Sequence, residues 1–400
     1  MTNTLTPLSP TYWSRIMGRK LFKTTVYRSI ASFREEATLT DGQIVDRPYR
    51  SDLAAETITR GTALNQQDLT TTSDTLTVNK YVGMLFNVDK IDKAQNKWDA
   101  ARVYAEDAAK KLAILIDSEV LYQVVNAAST VDYNDIDSTQ TAGEPAIITS
   151  SNVYKLFTIA GRKLDNYDVD MMDRFAVISP EVKQMLVEYF GGKESMLGDK
   201  TSEYANIGRA FGFELYVSNN ITGSARWTPA NQPSDADTIT IEGVTLTFET
   251  GSLDTAGKVK SETSVAVTLD NLVAFINLGG VDADSTYGYT VSAANQRIMR
   301  NWVAVDGGTY VDIYVKGTPN VTVTGSDSND TWTLETQHNV FGQKGAIDIV
   351  TQIAPTVEFA SRVSAGILGT NALPHTLFGT KLFYDETFRV VDVQVDSSNF

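Results

Sequence analysis

The hydrophobic pattern of this 400-residue chain changes its period near residue 90, and no other feature constrains the fold as strongly. From Leu76 to Val88 the even positions are mostly apolar and the odd positions mostly polar, as in a strand with one buried face. If continuous, this strand is on the order of 40 Å long. From about Ile91 to about Asn126 apolar residues recur every three or four positions, which predicts an amphipathic helix roughly 50 Å long. A long strand followed by a long helix predicts an elongated subunit.

The stretch before this strand, residues 39 to 75, is rich in turn signals. Asp41-Gly42 and Arg60-Gly61 alternate with short β-prone pieces. This pattern favours a projecting two-stranded arm over a compact core.

Residues 150 to 220 follow an α/β pattern. Ser151 to Leu164 has one apolar helical face, and Arg174 to Ile178 is a short apolar strand. Ser179 caps the next helix, with Pro180 at its first position. A second strand is predicted at Phe213 to Val217, so this region forms a compact domain.

Between residues 226 and 344 the composition shifts to Thr, Asp, Gly and Val, and we call this span the Thr-rich segment. Glu242-Gly243 separates two alternating runs and predicts a tight hairpin, because glycine second in a two-residue loop suits the primed turns. A short helix is predicted at about Leu269 to Ile276. We interpret the segment as a separate, mostly β domain inserted in the compact one, whose pattern is completed by later strands at Ile347 to Phe359 and Lys381 to Val395.

Composition excludes several classes of protein. There is no cysteine and there are two histidines, so disulfides, structural zinc and thiol catalysis are not expected. No run of about 18 apolar residues is present, so we expect no membrane association and a chain that works in a cytosol.

Charge is distributed unevenly along the chain. The net charge is −15, yet the first 34 residues contain six cations and no acid. The acidic remainder argues against a dedicated DNA-binding protein. The basic head is either an ordinary solvated segment or a contact for nucleic acid, an acidic partner or the acidic body of a neighbouring copy.

Residues with possible chemistry do not form a convincing site. The acidic clusters at 132–137 and 327–330 lack the full spacing of a calcium loop, and residues 191–195 lack the spacer of a phosphate loop. A Ser-His-Asp triad would have to recruit His338 or His375, and neither follows a recognisable nucleophile motif. Tyr27 and Trp98 suit core or interface positions better than base stacking. We therefore expect no enzyme activity, metal or cofactor.

Several stretches, in a consistent order along the chain, resemble the tailed-bacteriophage major capsid proteins, in the branch whose coat protein carries an inserted domain. These stretches are Arg47-Pro48-Tyr49, Arg60-Gly61-Thr62 running on to Asp74-Thr75-Leu76-Thr77-Val78, Asn96-Lys97-Trp98-Asp99-Ala100-Ala101, Gln123-Val124-Val125-Asn126-Ala127, Arg174 to Glu181, Gly208-Arg209 to Ser218-Asn219-Asn220, and a later return near Gly345 to Phe383.

The resemblance implies the capsid fold shared by tailed phages and herpesviruses. Its parts would be an N-terminal arm (1–38), an extended loop with peripheral-domain strands (39–90), a spine helix with peripheral domain (91–145), an axial domain (146–225 and 345–370), an inserted β-rich domain (226–344) and C-terminal peripheral strands (371–400).

The implied function is self-assembly into an icosahedral virion shell of pentamers and hexamers that encloses double-stranded DNA. The resemblance further implies assembly in the bacterial cytoplasm on a scaffolding protein, expansion on maturation, a portal protein, decoration proteins and DNA bound without sequence specificity. Residues expected at subunit contacts are Arg15, Arg19, Lys20, Lys23, Arg28, Arg47, Tyr49, Arg50, Arg60 and Trp98.

Some relatives join subunits by a Lys-to-Asn bond from the extended loop. Residues 39 to 79 contain no lysine, so we expect a shell without such cross-links. The alternatives are a cellular nanocompartment shell with the same fold and a β-rich phage surface or tail protein that binds sugars.

Overall fold

The computed structural model describes residues 21–37, 39, 42–50, 53–58, 60–61, 66–89, 100–193, 208–283, 285–327, 330–361 and 369–398. It mixes helices and strands, in agreement with the predicted α+β class. The helices are α1 (Tyr27–Ile30), α2 (Ala100–Tyr122), α3 (Tyr133–Ile136), α4 (Tyr154–Asn166), α5 (Pro180–Gly191), α6 (Val265–Asn277) and α7 (Ala293–Met299), with short 3-10 helices at Arg34–Glu36, Gln123–Asn126 and Tyr384–Arg389.

The strands of the described residues form four sheets. They are β1 (Ile44–Arg50), β2 (Thr71–Thr77), β3 (Lys80–Gly83), β4 (Phe86–Asp89), β5 (Ser129–Val131), β6 (Arg174–Ile178), β7 (Arg209–Ala210), β8 (Phe213–Val217), β9 (Thr222–Thr228), β10 (Thr238–Ile241), β11 (Val244–Glu249), β12 (Lys258–Lys260), β13 (Trp302–Asp306), β14 (Val311–Val315), β15 (Val323–Gly325), β16 (Thr331–Gln343), β17 (Ile347–Ser361), β18 (Gly369–Leu382) and β19 (Val390–Asp396). Within the described ranges, no helix is long and apolar enough to cross a membrane.

The largest sheet has the order β13-β14-β9-β16-β6-β8-β7, with β19 beside β16 and β5 beside β19. Helices α4 and α5 cover one face of it, where Phe157 and Leu186 pack against Phe341. Helix α2 covers the other face, where Val120 packs against Val177. Strand β6 is buried at all five positions because helices cover both of its faces. The predicted cap of α5 is confirmed, since the Ser179 side chain accepts from the Val182 amide.

A second sheet, which we call the peripheral sheet, is formed by β17, β18, β3 and β4. Strand β18 pairs with the other three strands. Ile347 and Phe378 of this sheet pack in the same apolar cluster as Ile116 and Val120 of α2. Helix α2 is therefore a spine that contacts both sheets.

The strand predicted from Leu76 to Val88 is not continuous. The chain forms β2, β3 and β4 in turn, because β2 pairs with β1 whereas β3 and β4 pair with separate parts of β18. The described helix begins at Ala100 and is about 35 Å long, at about 1.5 Å per residue, and it continues as a 3-10 turn to Asn126. The start of the predicted helix, residues 91–99, lies outside the described residues.

The Thr-rich segment has its own apolar core and its own four-stranded sheet, but other strands of the segment belong to the largest sheet. Strands β10, β11, β12 and β15 with α6 and α7 enclose one cluster that includes Trp227 and Phe275. Strands β13, β14 and β16, although within residues 226–344, extend the largest sheet, and β16 lies between β6 and β19. The largest sheet therefore includes strands from both sides of residue 344, and the domain boundary expected there stays a prediction.

The C-terminal strands are divided between two sheets. Strand β17, expected in the axial domain, joins the peripheral sheet, whereas β19, expected in the peripheral domain, joins the largest sheet. Apolar alternation shows that a strand has a buried face, but its hydrogen-bonded partner depends on the whole topology. The division of the chain into named capsid domains stays a prediction.

The hairpin within the Thr-rich segment is confirmed. Ile241 pairs with Val244, which leaves Glu242 and Gly243 as a two-residue loop. Both loop residues have positive φ, 47° and 76°, as a type I′ turn requires.

Candidate subunit-contact surface and its anchoring

The ribbon formed by β1 and β2 carries apolar side chains at its far end that contact little of the described chain. The two strands pair over seven residues each, from Ile44 opposite Thr77 to Arg50 opposite Thr71. Beyond them, Leu53, Ile58 and Leu69 are 62%, 72% and 78% exposed. Ala54 and Gln67 hold the two sides together, since the Gln67 amide group accepts from the Ala54 N–H at 2.9 Å and donates to its carbonyl at 2.6 Å. Burying these apolar side chains would be favourable.

The base of the ribbon is fixed to the body by a small apolar cluster. Val45 and Leu76 of the ribbon pack with Leu39, Val350 and Phe383. All five side chains are buried. The ribbon therefore has an anchored base and a far end that projects.

Arg47, one of the predicted contact residues, joins this base to the body through ion pairs. Its guanidinium lies 2.8 Å from Glu35 and 2.8 Å from Asp348, and its Cζ lies 3.9 Å from the centre of the Phe383 ring. Asp348 is fully buried, and this burial raises the pKa of its carboxyl, although Ser32, Arg47 and Arg34 act in the opposite direction. Arg47 thus has partners within its own chain, and its role between subunits stays a prediction.

The other predicted residues of the ribbon differ in their surroundings. The Tyr49 ring stacks on Tyr384 with 5.2 Å between centroids. Arg50 and Arg60 are exposed. These two arginines therefore lie on surface that a neighbouring molecule can reach, whereas Tyr49 packs within its own chain.

The N-terminal segment is fixed on the spine by a buried carboxylate. One oxygen of Asp117 accepts from the Val26 and Tyr27 amides, both at 2.8 Å, and the other accepts from Asn220 at 2.9 Å. Burial raises the pKa of Asp117, and these hydrogen bonds oppose the increase. Lys23 donates to the Gly317 carbonyl.

Arg28 is exposed and donates to the hydroxyl of Tyr27 at 3.1 Å. The remaining predicted contact residues, Arg15, Arg19, Lys20 and Trp98, lie outside the described residues. Their contacts stay predictions.

A mostly buried group of three charges, which no sequence pattern indicated, is centred on Glu119 of the spine helix. Glu119 accepts from Lys80 of β3 and from Lys316, which is 2.8 and 3.0 Å from its two oxygens. Burial alone would raise the pKa of Glu119, but the two ammonium groups hold this pKa below its ordinary value. Burial, with a smaller effect of Glu119, raises the pKa of Tyr122 to about 12. The charged residues are far apart in sequence, so no local pattern signals this cluster.

A Ser-His-Asp arrangement does occur, within the largest sheet. His338 lies 2.9 Å from the Ser224 hydroxyl and 2.8 Å from Asp392, across strands β9, β16 and β19. Ser224 is 8% exposed, His338 3% and Asp392 2%, so a substrate has no access to the hydroxyl. The group serves to satisfy polar side chains between neighbouring strands.

The acidic residues weighed as calcium ligands make contacts within the protein. Asp132 caps α3, and Asp135 pairs with Lys163 at 2.5 Å. Asp330 accepts from Trp227 at 3.2 Å. Among the residues with described positions, no group of three or more potential ligands is placed to hold a metal ion.

Comparison with known proteins shows which family part of the chain resembles. A model of the family described as "Phage capsid protein" matches residues 71–261, which include the ribbon strand β2, the peripheral strands β3 and β4, the spine and the first half of the largest sheet. This chain matches the phage capsid protein family over 191 of its 400 residues. It is accordingly a structural protein of a virion that forms the shell, and it is not an enzyme. No curated protein matches the chain.

Solved structures support the same fold. The chain is similar to a structure from Mycobacterium phage Che8 (15% identity, TM-score 0.57, 96% of each chain covered) and to the capsid of cyanophage P-SCSP1u (12% identity, TM-score 0.57, 98% of this chain and 94% of the other). It is also similar to the mature capsid of bacteriophage PhiM1 (10% identity, TM-score 0.50, 97% and 92% covered). At these identities the likeness concerns the fold.

Proposed function

We propose that this capsid protein assembles into an icosahedral shell of pentamers and hexamers around double-stranded DNA. The observation that carries the proposal is the projecting ribbon with Leu53, Ile58 and Leu69 exposed at its far end. A specific interface buries about 800 Å² per partner, and each subunit of a closed lattice has several. Contacts that are weak individually then become strong collectively, while wrongly placed subunits can still dissociate before the shell closes.

The ribbon would lie over a neighbouring subunit. Among the strands that the structure describes, its two strands pair only with each other, so each presents an outer edge whose backbone groups could pair with another chain. Arg50 and Arg60 would contact the acidic surface of that neighbour, in keeping with the net charge of −15.

The basic N-terminal arm, with Arg15, Arg19 and Lys20, would contact scaffolding protein, packaged DNA or the acidic inner face of a neighbour. Contact with DNA would be nonspecific, because cations neutralise phosphates without reading bases. Assembly would take place in the bacterial cytoplasm on a scaffold, with a portal protein and decoration proteins as further partners, and the shell would expand on maturation.

The mature shell would lack covalent cross-links from the extended loop, because residues 39 to 79 contain no lysine. Mature particles should therefore dissociate to a single band on a denaturing gel. A heat-resistant ladder of bands would contradict this part of the proposal.

The central experiment is electron microscopy of the overexpressed chain, with and without its scaffold. Closed particles that contain nucleic acid are expected from infected cells, and particles without nucleic acid would point to a nanocompartment. The double variant Ile58→Asp/Leu69→Asp should remain folded by circular dichroism yet form no particles. Met171→Asp is the matched control, because Met171 is also exposed (70%) but does not lie on the ribbon. Normal assembly of the double variant would refute the role of the ribbon.

A further inference from the structure

We propose that Glu119 is a common anchor that fixes the positions of the Thr-rich segment and the peripheral sheet relative to the spine helix. The segment would then act as a brace inside its own subunit, in addition to the assembly proposed above. Three observations support this: a carboxylate bonded from both sides, a turn pressed against the spine, and an excess of buried positive charge.

The first observation is the shared carboxylate. Lys316 follows β14 directly, and its ammonium group contacts both oxygens of Glu119, at 2.8 and 3.0 Å. Lys80 begins β3, which pairs with β18 in the peripheral sheet, and it contacts the same carboxylate. One side chain of the spine therefore bonds a cation from each of two sheets.

The second observation is the close packing of the turn at Lys316 and Gly317. Gly317 has a φ of +76°, and a Cβ there would lie 2.8 Å from the Asn220 side-chain oxygen and 3.3 Å from Cβ of Ser118. On the other side of the turn, a Cβ on Gly223 would lie 2.5 Å from the carbonyl oxygens of Thr318 and Pro319. The turn is thus seated between the spine and β9, with little room to move.

The third observation is electrostatic. The Lys316 ammonium also lies 4.8 Å from the centre of the Tyr122 ring, and its side chain is 9% exposed. Two cations and one anion share a mostly buried site, so the cations repel each other and Glu119 is their common counter-charge. Like charges in a medium less polar than water interact strongly. Neutralising Glu119 would leave two unpaired cations, whereas removing one lysine would leave a balanced pair.

Hydrogen exchange on the full-length, unassembled chain tests this inference without any need for a shell. In the Glu119→Gln variant, the backbone amide hydrogens of both β3 and β14 should exchange at least tenfold faster than in the parent chain. Lys316→Met should increase exchange only around β14, and Lys80→Met only around β3. Glu249→Gln is the matched control, because Glu249 pairs with Lys258 at 2.6 Å within the Thr-rich segment and should leave β3 unchanged.

The double variant Glu119→Gln/Lys316→Met separates an electrostatic anchor from simple packing. It should recover part of the protection of the β3 amides against hydrogen exchange, because the remaining Lys80 no longer faces a second cation. The same variant should fold even where Glu119→Gln alone does not. The proposal is overturned if Glu119→Gln increases amide exchange in only one of β3 and β14. It is also overturned if adding Lys316→Met does not slow the exchange of β3 again.

Discussion

Replacement of Arg47 by alanine should destabilise the subunit strongly, although Arg47 was predicted as a surface contact. The substitution removes the 2.8 Å ion pairs to Glu35 and Asp348, and Asp348 is fully buried. Breaking a buried ion pair costs about 3–5 kcal/mol, because a charge is left without its partner. Arg34 remains 3.5 Å from Asp348 and partly compensates, so we expect the lower end, about 3 kcal/mol.

Guanidinium unfolding of the unassembled chain at neutral pH measures this loss as a lower midpoint with an unchanged slope. Arg50→Ala is the control, because Arg50 lies on the same strand but is exposed, and surface substitutions usually change stability by less than about 0.5 kcal/mol. Arg47→Lys should give an intermediate loss, since lysine keeps the charge but lacks the two-pronged geometry. Equal midpoints for Arg47→Ala and Arg50→Ala would refute the reasoning.

Three further outcomes are expected. Ser179→Ala should cost about 1 kcal/mol in thermal unfolding, because it removes the cap on the Val182 amide, and an unchanged melting temperature would contradict that role. Gly243→Val should cost about 1–2 kcal/mol, because a side chain is strained at a φ of 76°; calorimetry would show a lower melting temperature, and equal values would exclude a strained turn. The pKa of Glu119 is lowered in the fold, so its ionised form adds stability at neutral pH that is lost as the pH falls below the ordinary value of 4.5. The stability difference between the parent and Glu119→Gln should therefore shrink in acid, and a difference independent of pH would contradict the ion cluster.

Local patterns predicted most elements but not how they associate. The Ser179 cap, the strand at Arg174–Ile178 and the Glu242-Gly243 turn depend on neighbouring residues, and all three are present. The continuous strand from Leu76 to Val88 was wrong, because its alternation persists across two changes of partner. The change of composition between residues 226 and 344 likewise did not reveal that β16 pairs with β6 and β19.

The candidate site divides in the same way. A two-stranded arm could be expected from the sequence, since turn signals and β-prone pieces outline it, but the exposed apolar residues at its far end were not singled out. The inward role of Arg47 and the Glu119 cluster could not be expected, because their partners lie up to 301 and 197 positions away.

The order of residues alone determined which segments become helices, strands and turns, because those preferences arise within a few residues of backbone. Tertiary structure decided which strands share a sheet, which arginine pairs with a buried carboxylate and which carboxylate joins two cations. Those outcomes depend on long-range pairing and on exclusion of water, which exist only once the chain has folded.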